Sequence, residues 1–274
     1  MWRPWVGTRA YPYGATMLTK DLAICIRAID YSETSQIVSF FTRATGKIDA
    51  IAKGSKRPKS PFDGPIEVLS HGNIVFVDSG GEKLATLTEF QQQPALINLR
   101  NNLFMLYVCL FAAELMNNLT DDYDPHPELF DSFLEFLHNT NEQHSTSNQQ
   151  RDILALLILF QLTLLREIGL QPILSYCVNC KTSYSIGRLT AESRAASHEL
   201  YFSSSANGLI CRDCESSFPD KIRLTKEAST CLVSLKQIPE STEKTLKEIE
   251  KVLVQHLTGL LGRTPRMAKH ILSN

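Results

Sequence analysis

The sequence predicts an α+β protein, in which a small barrel of strands precedes an α-helical domain that contains an embedded four-cysteine module. Three observations carry this prediction: residues alternate with a period of two before Pro94, apolar residues recur at helical spacing after it, and two Cys-x-x-Cys pairs follow. The chain has 274 residues, of which 43% are hydrophobic and 21% charged. That composition is ordinary for a globular protein and excludes a disordered or collagen-like chain.

Residues 20–94 have the pattern of short strands separated by turns. Residues 22–28 alternate between apolar side chains and their neighbours, which is typical of a half-buried strand. Further strand-like runs are residues 37–41, 48–52, 66–69, 74–77 and 84–90, and Gly80-Gly81 is typical of a tight hairpin turn. With residues 66–69 and 74–77 taken together, these runs make about five strands with no helical period between them, which favours a five-stranded OB-fold barrel over residues 18–94.

After Pro94 the apolar residues recur every three or four positions, which predicts helices. A proline-rich start near residues 124–127 suits the first turn of a helix, and the polar stretch 138–150 is typical of a flexible loop. The predicted helices begin near residue 95 and near residue 125, and then span residues 153–170, 225–238 and 242–261, before a short basic tail at 263–272. We therefore assign residues 95–176 and 222–274 to one α-helical domain.

Neither a membrane span nor a secretory signal is predicted. The two longest apolar stretches, residues 103–116 and 153–165, are shorter than the ~18–20 residues that a spanning helix needs. The first seventeen residues lack the apolar core of a signal peptide, so we interpret residues 1–17 as an N-terminal extension. We therefore expect a cytoplasmic protein.

The net charge of −1 conceals an uneven distribution along the chain. Residues 1–94 carry a net charge of +2, residues 95–176 carry −7, and residues 177–274 carry +4. Because phosphates avoid acidic surfaces, we expect the acidic middle to be a scaffold or a binding site for a protein partner rather than the main phosphate-binding face.

Four of the seven cysteines have the spacing of metal ligands. Cys177 and Cys180 form one Cys-x-x-Cys pair, and Cys211 and Cys214 form the other, within a module that we place at residues 177–221. Two such turns can present four sulfurs to one Zn²⁺, and four thiolates leave no open coordination position, so the zinc is expected to be structural. Two disulfides and a thioredoxin-like redox pair are the alternatives, and both are disfavoured.

The segment between the two cysteine pairs contains a strand-like run at residues 200–202 and an Asn207-Gly208 turn that leads to Cys211. This order is typical of a zinc ribbon with an insertion. The other three cysteines lie on apolar faces and are expected to pack in the core: Cys25, Cys109 and Cys231.

A cluster of cations follows the third strand-like run and is the candidate phosphate-binding segment. A cationic groove with aromatic platforms is how OB folds hold single strands, and Phe62, if exposed, offers such a platform. The alternative is a charged surface loop without a ligand. The candidate DNA-binding residues are Arg43, Lys47, Lys53, Lys56, Arg57 and Lys59.

The chain resembles the zinc-binding version of the bacterial RecO family. The resemblance rests on residues 31–48 and 52–60, on Gly169-Leu170-Gln171-Pro172 before the first cysteine pair, on the second pair, and on Leu260-Leu261-Gly262-Arg263. It covers about residues 18–272. Residues 32–35 (Ser-Glu-Thr-Ser) replace the usual Gly-Glu-x-Asp of the family, and family members generally begin close to Met17.

This resemblance implies a DNA-binding recombination mediator for DNA repair. It implies that the protein binds single- and double-stranded DNA, anneals complementary strands and assists recombinase loading. The implied partners are RecR and the single-stranded DNA-binding protein, and the implied location is the cytoplasm, at the nucleoid when the protein is bound to DNA.

Two other classes stay open on the residues alone. One is a general single-stranded nucleic-acid-binding protein with an OB fold and a zinc ribbon but without annealing activity. The other is a hydrolase or nuclease with a metal-dependent site at Asp121, Asp122 and Asp124, although a loop with a helix cap explains that cluster more simply. The sequence contains no P-loop, Gly-x-Ser-x-Gly or His-Glu-x-x-His motif, so we predict neither an enzyme nor a small-molecule substrate.

Overall fold

A computed structural model describes residues 17–62, 64–78, 84–143, 148–184 and 199–272. Residues 1–16 of the predicted extension (1–17) and the predicted Gly80-Gly81 turn lie outside these ranges, so neither prediction is addressed by the structure.

The first five strands close into a barrel in the order β1-β2-β3-β5-β4. β3 pairs with β5 in parallel, and the other neighbours pair antiparallel. The long first strand closes the barrel because it pairs with both β2 and β4. The five-stranded OB-type barrel predicted from the sequence is therefore confirmed. Its strands are β1 (Met17–Asp30), β2 (Gln36–Thr42), β3 (Gly46–Ala52), β4 (His71–Asp78) and β5 (Ala85–Gln92).

The predicted strand at residues 66–69 is wrong. Ile66 and Leu69 are buried, but this segment makes a turn in which Leu69 has a left-handed φ of 73°. Its backbone bonds to Cys25 from outside the regular ladder, with Leu69 N donating to Cys25 O at 2.8 Å. The apolar run therefore packs Ile66 into the barrel interior and Leu69 against the helices instead of adding a strand.

The helices begin with α1 (Ile97–Asn101) and α2 (Leu103–Leu119). The single helix predicted here is divided at Asn102, whose extended backbone stops α1 and whose side chain accepts hydrogen bonds from the N–H groups of Phe104 and Met105. The predicted loop at 138–150 is shorter than expected, because α3 (Pro127–Asn141) and α4 (Gln149–Glu167) extend into it.

The cysteine module contributes a small sheet of order β7-β6-β8, and three further helices follow it. The helix predicted over 225–238 ends early at Val233, because Ser234 leaves the helical conformation with φ −130° and ψ 88°, and a 3₁₀ helix (Leu235–Glu240) follows. These elements are β6 (Leu200–Ser203), β7 (Gly208–Cys211), β8 (Ile222–Arg223), α5 (Lys226–Val233), α6 (Glu243–Leu261) and α7 (Ala268–Leu272).

The buried hydrophobic side chains of the described residues form three clusters. One fills the barrel interior, a second joins the helices to the outer face of the barrel, and a small third lies in the cysteine module. Ile24, Ile26 and Phe41 project from β1 and β2 into the helical core, where the ring of Phe41 stacks on that of Phe130 with centroids 6.3 Å apart. Among the described helices, none is long and apolar enough to cross a membrane.

Candidate functional site

The four cysteines of the two Cys-x-x-Cys pairs come together in space. The sulfur atoms of Cys177, Cys180, Cys211 and Cys214 all lie within 4.8 Å of one another, and none is in a disulfide. The Sγ atoms of Cys180 and Cys211 are 3.7 Å apart, which matches the roughly 3.8 Å between sulfurs of a tetrahedral site with Zn–S bonds of about 2.3 Å. Within the described residues this is the one group of three or more such ligands close enough to hold a metal ion.

Backbone hydrogen bonds hold the first pair in a tight turn. Cys177 N donates to Thr182 O at 2.8 Å, and Lys181 N donates to Cys177 O at 2.9 Å. Lys181 adopts a left-handed φ of 62° to complete the turn. The second pair begins at the end of β7 and continues into a 3₁₀ helix (Arg212–Ser217). The sulfurs of the two turns therefore converge near the end of β7, which pairs with β6 as a hairpin.

The hairpin brings the second pair to the first because Gly208 allows a close approach. A Cβ atom at Gly208 would lie 2.4 Å from the carbonyl oxygen of Ile173, so a side chain there is excluded. Val178 N then donates to Leu209 O at 3.0 Å, which joins the first turn to β7. The predicted strand at 200–202 and the predicted Asn207-Gly208 turn are both confirmed.

The sulfur atoms differ in how easily they ionise. Burial disfavours the Cys177 thiolate, but backbone N–H groups of Cys211, Cys180 and Asn179 outweigh that penalty and lower its pKa to about 6. Burial and the neighbouring cysteine sulfurs raise the pKa of Cys211 to about 12. Four thiolates this close need a cation between them, so the donor set fits Zn²⁺, whose ligands are deprotonated sulfurs.

The remaining cysteines are core residues, as predicted. Cys25, Cys109 and Cys231 are buried and lie away from the cluster. Burial raises the pKa of Cys25 to about 12 and that of Cys109 further still.

Residues 53–59, here called the basic loop, leave the barrel directly after β3. Lys53, Arg57 and Lys59 are exposed, whereas Lys56 is half-buried and donates to Asp30 Oδ2 at 2.6 Å. The loop therefore presents three free-standing cations and one that is already paired with an acid.

Hydrogen bonds attach the basic loop to the start of β2. Gly54 N donates to Ser35 Oγ at 3.2 Å, and Lys56 N donates to Thr34 O at 3.1 Å. Beneath the loop, the side chain of the buried Gln36 accepts from Ser55 Oγ at 2.9 Å. These contacts fix the loop against the β1–β2 connection, so its cations are held in place before any ligand arrives.

The structure does not bring Arg43 and Lys47 to the basic loop. Arg43 donates two hydrogen bonds of 2.8 Å to Asp131 on α3, and this guanidinium holds the pKa of Asp131 below its usual value. The side chain of Lys47 is only 15% exposed. Its Nζ donates to the carbonyl oxygens of Asn117 and Thr120 at the end of α2, at 3.1 and 2.7 Å. Both cations thus join the barrel to the helices.

Phe62 does not offer a stacking platform, because its side chain is 1% exposed and belongs to the barrel core. The exposed aromatic residue beside the basic loop is instead Tyr31, which follows β1 and is 63% exposed. The sequence pattern that could have indicated it is the alternation of β1, since Tyr31 continues the outward-facing series of Arg27 and Ile29.

The acidic residues near the start of α3 do not form a metal site or a helix cap. Asp122 forms an ion pair with Lys47 at 3.2 Å, and Asp124 contacts His126 at 3.0 Å. The residue at the N-cap of α3 is His126, and no side chain caps it, so the predicted cap is wrong. The cluster is explained by its contacts at the junction of barrel and helices.

These features define an OB-fold protein with an appended helical bundle and a four-cysteine cluster able to hold a metal ion. Residues 17–93 match the family model described as Recombination protein O N terminal, and residues 100–270 match that of Recombination protein O C terminal. The chain belongs to the RecO family.

Similar curated proteins span nearly the whole chain. It is 28% identical over 275 residues to DNA repair protein RecO of Rhodopirellula baltica, covering 90% of this chain and 96% of that protein. It is 28% identical over 263 residues to DNA repair protein RecO of Bacillus subtilis, covering 91% and 93%. With DNA repair protein RecO of Halalkalibacterium halodurans it shares 29% identity over 271 residues, covering 94% and 96%.

Proposed function

We propose that this protein is a DNA repair protein that acts as a recombination mediator: it binds single- and double-stranded DNA, anneals complementary strands and assists recombinase loading. Membership of the RecO family supports this proposal, and so does the printed name of the relatives, DNA repair protein RecO. We also propose RecR and the single-stranded DNA-binding protein as partners, a cytoplasmic location, and a role without catalytic turnover.

The observation that carries the proposal is the basic loop on an OB-type barrel. Oligonucleotides bind OB folds on the face of strands 2 and 3 and on the loops beside it, including the β1–β2 loop. Here the β1–β2 connection is hydrogen-bonded to the basic loop through Thr34 and Ser35. Lys53, Arg57 and Lys59 are therefore proposed to contact phosphates, with Lys56 assisting when its pair with Asp30 opens.

This arrangement suits annealing on physical grounds. Two complementary strands repel each other until their phosphates are neutralised, and lysine and arginine contacts release the counterions that the strands carry. Cations that contact only phosphates leave the base edges free to pair and carry no sequence information. Annealing by such a surface is therefore expected to be indifferent to sequence.

We propose that the protein is divided into functional units as its sequence pattern indicates. The barrel at 18–94 would hold DNA, and the helical domain at 95–176 and 222–274, whose first part is acidic, would support it or receive a protein partner. The module at 177–221 would bind one Zn²⁺ through Cys177, Cys180, Cys211 and Cys214. Because four thiolates saturate the ion, its role would be to stabilise the fold.

The test is a variant in which Lys53, Arg57 and Lys59 are all replaced by alanine. Its affinity for single-stranded oligonucleotides, titrated at several salt concentrations, should fall, and the slope of log K against log salt should flatten by about 0.7 for each lost phosphate contact. A matched control replaces the exposed Lys226, Lys244 and Lys251 of α5 and α6, with the same change in net charge. An unchanged salt slope in the loop variant would place DNA binding elsewhere.

Annealing is measured with the same two variants and two complementary strands. The loop variant should anneal more slowly, whereas the control should match the parent protein. If the parent protein binds single strands but does not accelerate annealing, the protein is instead a general single-strand-binding module of the OB and zinc-ribbon type.

A further inference from the structure

Tyr31 is an aromatic residue that the fold leaves in solvent. It follows β1 directly, and its ring is 63% exposed. Its backbone is nevertheless fixed, because Tyr31 N donates to Ser35 O at 3.0 Å across the β1–β2 connection. An exposed tyrosine ring on an ordered backbone presents a large apolar face that a planar ligand can cover.

Tyr31 belongs to the β1–β2 connection that is hydrogen-bonded to the basic loop. Residues 31–35 form one wall of this region, and Ser35 and Thr34 accept hydrogen bonds from Gly54 and Lys56 of the loop. The ion pair between Asp30 and Lys56 is a second connection, made by the residue that precedes Tyr31. An aromatic face and a set of cations are thus held together by contacts within the chain.

A row of half-exposed isoleucines extends the apolar surface from Tyr31 across the barrel. Ile29 pairs with Ile37, and Ile37 pairs with Ile51, so the three side chains lie side by side on the outer face of β1, β2 and β3. Their neighbours Val38 and Ala50 face the barrel interior, which fixes the row on the outside. The row ends beside Lys53, two residues beyond Ile51.

The opposite end of this face is acidic and offers a comparison. Tyr123 is 36% exposed, and its hydroxyl lies 3.3 Å from Asp78 Oδ1. Burial and the nearby carboxylates of Asp78, Asp122 and Asp49 raise the pKa of Tyr123 to about 12. These carboxylates repel the phosphates of a nucleic acid. The other end of the face, with Tyr31 and the basic loop, is therefore the end at which a nucleic-acid strand is expected to bind.

We propose that the Tyr31 ring is a stacking platform for a nucleobase of single-stranded nucleic acid, with Ile29, Ile37 and Ile51 as the apolar floor beside it. The phosphates of the same strand contact Lys53, Arg57 and Lys59. This inference rests on the proposed function and deepens it, because it separates the part of the surface that holds bases from the part that holds phosphates. Stacking accepts any base, which agrees with binding that is indifferent to sequence.

The test compares Tyr31→Ala with Tyr31→Phe on two single strands of equal length, an oligothymidylate and an abasic strand with the same phosphates. Tyr31→Ala should lose roughly five- to a hundredfold in affinity for the oligothymidylate and little for the abasic strand, because the abasic strand has no base to stack. Tyr31→Phe should keep the parent affinity for both, since its ring is intact. Tyr123→Ala is the matched control, and it should bind both strands as the parent does.

Thermal unfolding of each variant establishes that the fold is kept, which is expected at so exposed a position. Equal losses of Tyr31→Ala on both strands, or no loss on either, would overturn the stacking role and leave the apolar row as a surface for a protein. Failure of the proposed function looks different. In that case the parent protein binds neither strand, or the alanine substitutions at Lys53, Arg57 and Lys59 leave the affinity for the abasic strand unchanged.

Discussion

The carboxyl group of Glu250 is buried in the helical core on α6. One oxygen accepts a hydrogen bond from Gln161 Nε2 at 2.8 Å, and the other has no partner in the described structure. Burial raises the pKa of Glu250 to about 7, although the bond from Gln161 opposes the shift. Glu250 is therefore a group whose charge the core does not compensate.

This burial predicts a loss of stability as the pH rises. A glutamate in an unfolded chain titrates near pH 4.3, so between that value and about 7 the folded protein keeps a proton that the unfolded chain has released. The contribution of this group to stability is fully present below the unfolded pKa and is lost as the pH rises through the folded pKa, by roughly 4 kcal/mol. Glu250→Gln, which is neutral at every pH, should be more stable than the parent at about pH 8 and similar at about pH 5.

Urea unfolding of the parent and the variant at both pH values measures this difference. Burial lowers the pKa of His256, also on α6, and this works in the opposite direction, since stability is lost there as the pH falls. The comparison cancels its contribution because both proteins contain it. Glu240→Gln changes an exposed glutamate and should leave the pH profile unaltered. A parallel profile for Glu250→Gln and the parent would contradict the prediction.

At the scale of an element, the two cysteine turns depend on each other through their sulfurs. The sheet that carries the second turn is short, and its core contains only a few buried side chains around Tyr201 and Ile210. So small a core gives little stability of its own, and a bound ion would supply much of the rest.

Replacing Cys180 by serine should release the metal and lower the free energy of unfolding by more than about 2 kcal/mol. Because Cys180 is exposed, the substitution removes almost no packing, and the loss is attributable to the ligand. Zinc content by atomic absorption and the thermal midpoint, each with and without chelator, measure the effect. With chelator the parent and the variant should unfold at the same temperature.

Cys231→Ala is the control for that experiment, since Cys231 is buried but lies outside the cluster. It should retain one zinc per chain even if its midpoint falls. A parent protein without zinc, or a Cys180→Ser variant that keeps it, would refute the assignment.

At the scale of the whole molecule, one hydrophobic core joins the outer face of the barrel to the helices, separately from the barrel interior. Phe41 leaves the barrel face and stacks on Phe130 of α3, while Arg43 and Lys47 make polar contacts with the helices on either side. The part of the outer face of β1 and β2 that carries Ile24, Ile26 and Phe41 is therefore covered by the helices rather than by solvent. This junction makes the stability of the two parts interdependent.

Phe41→Ala should cost about 3–5 kcal/mol, because it removes a fully buried ring and leaves a cavity between the barrel and the helices. Hydrogen exchange followed by mass spectrometry should show faster exchange in β2 and in α3 together. Phe62→Ala removes a ring of equal size from the barrel interior alone and should accelerate exchange mainly in the barrel strands. The prediction fails if Phe41→Ala leaves the exchange of α3 at the parent rate.

Much of this protein could be predicted from local patterns in its sequence. The alternation of residues 22–28 indicated β1, the helical spacing of apolar residues predicted α6 over 242–261, and the Cys-x-x-Cys spacing identified the four sulfurs that the structure brings together. These features depend on residues only a few positions apart in the sequence, because side-chain periodicity and the geometry of short turns are themselves set by residues that close together.

The tertiary structure decided which side chains face solvent and which face another element. Lys47 and Lys53 have the same chemistry, and they lie on β3 and on the loop that follows it. The end of α2 reaches only Lys47, whose ammonium donates hydrogen bonds to two backbone carbonyl oxygens there. Phe62 turned inward and Tyr31 stayed outside, although both are aromatic residues next to polar segments. The alternation of β1 extends to Tyr31, but no local pattern separates the two lysines or indicates the burial of Phe62. Their burial is set by contacts with residues dozens of positions away, which form only once the barrel has closed and the helices have packed against it.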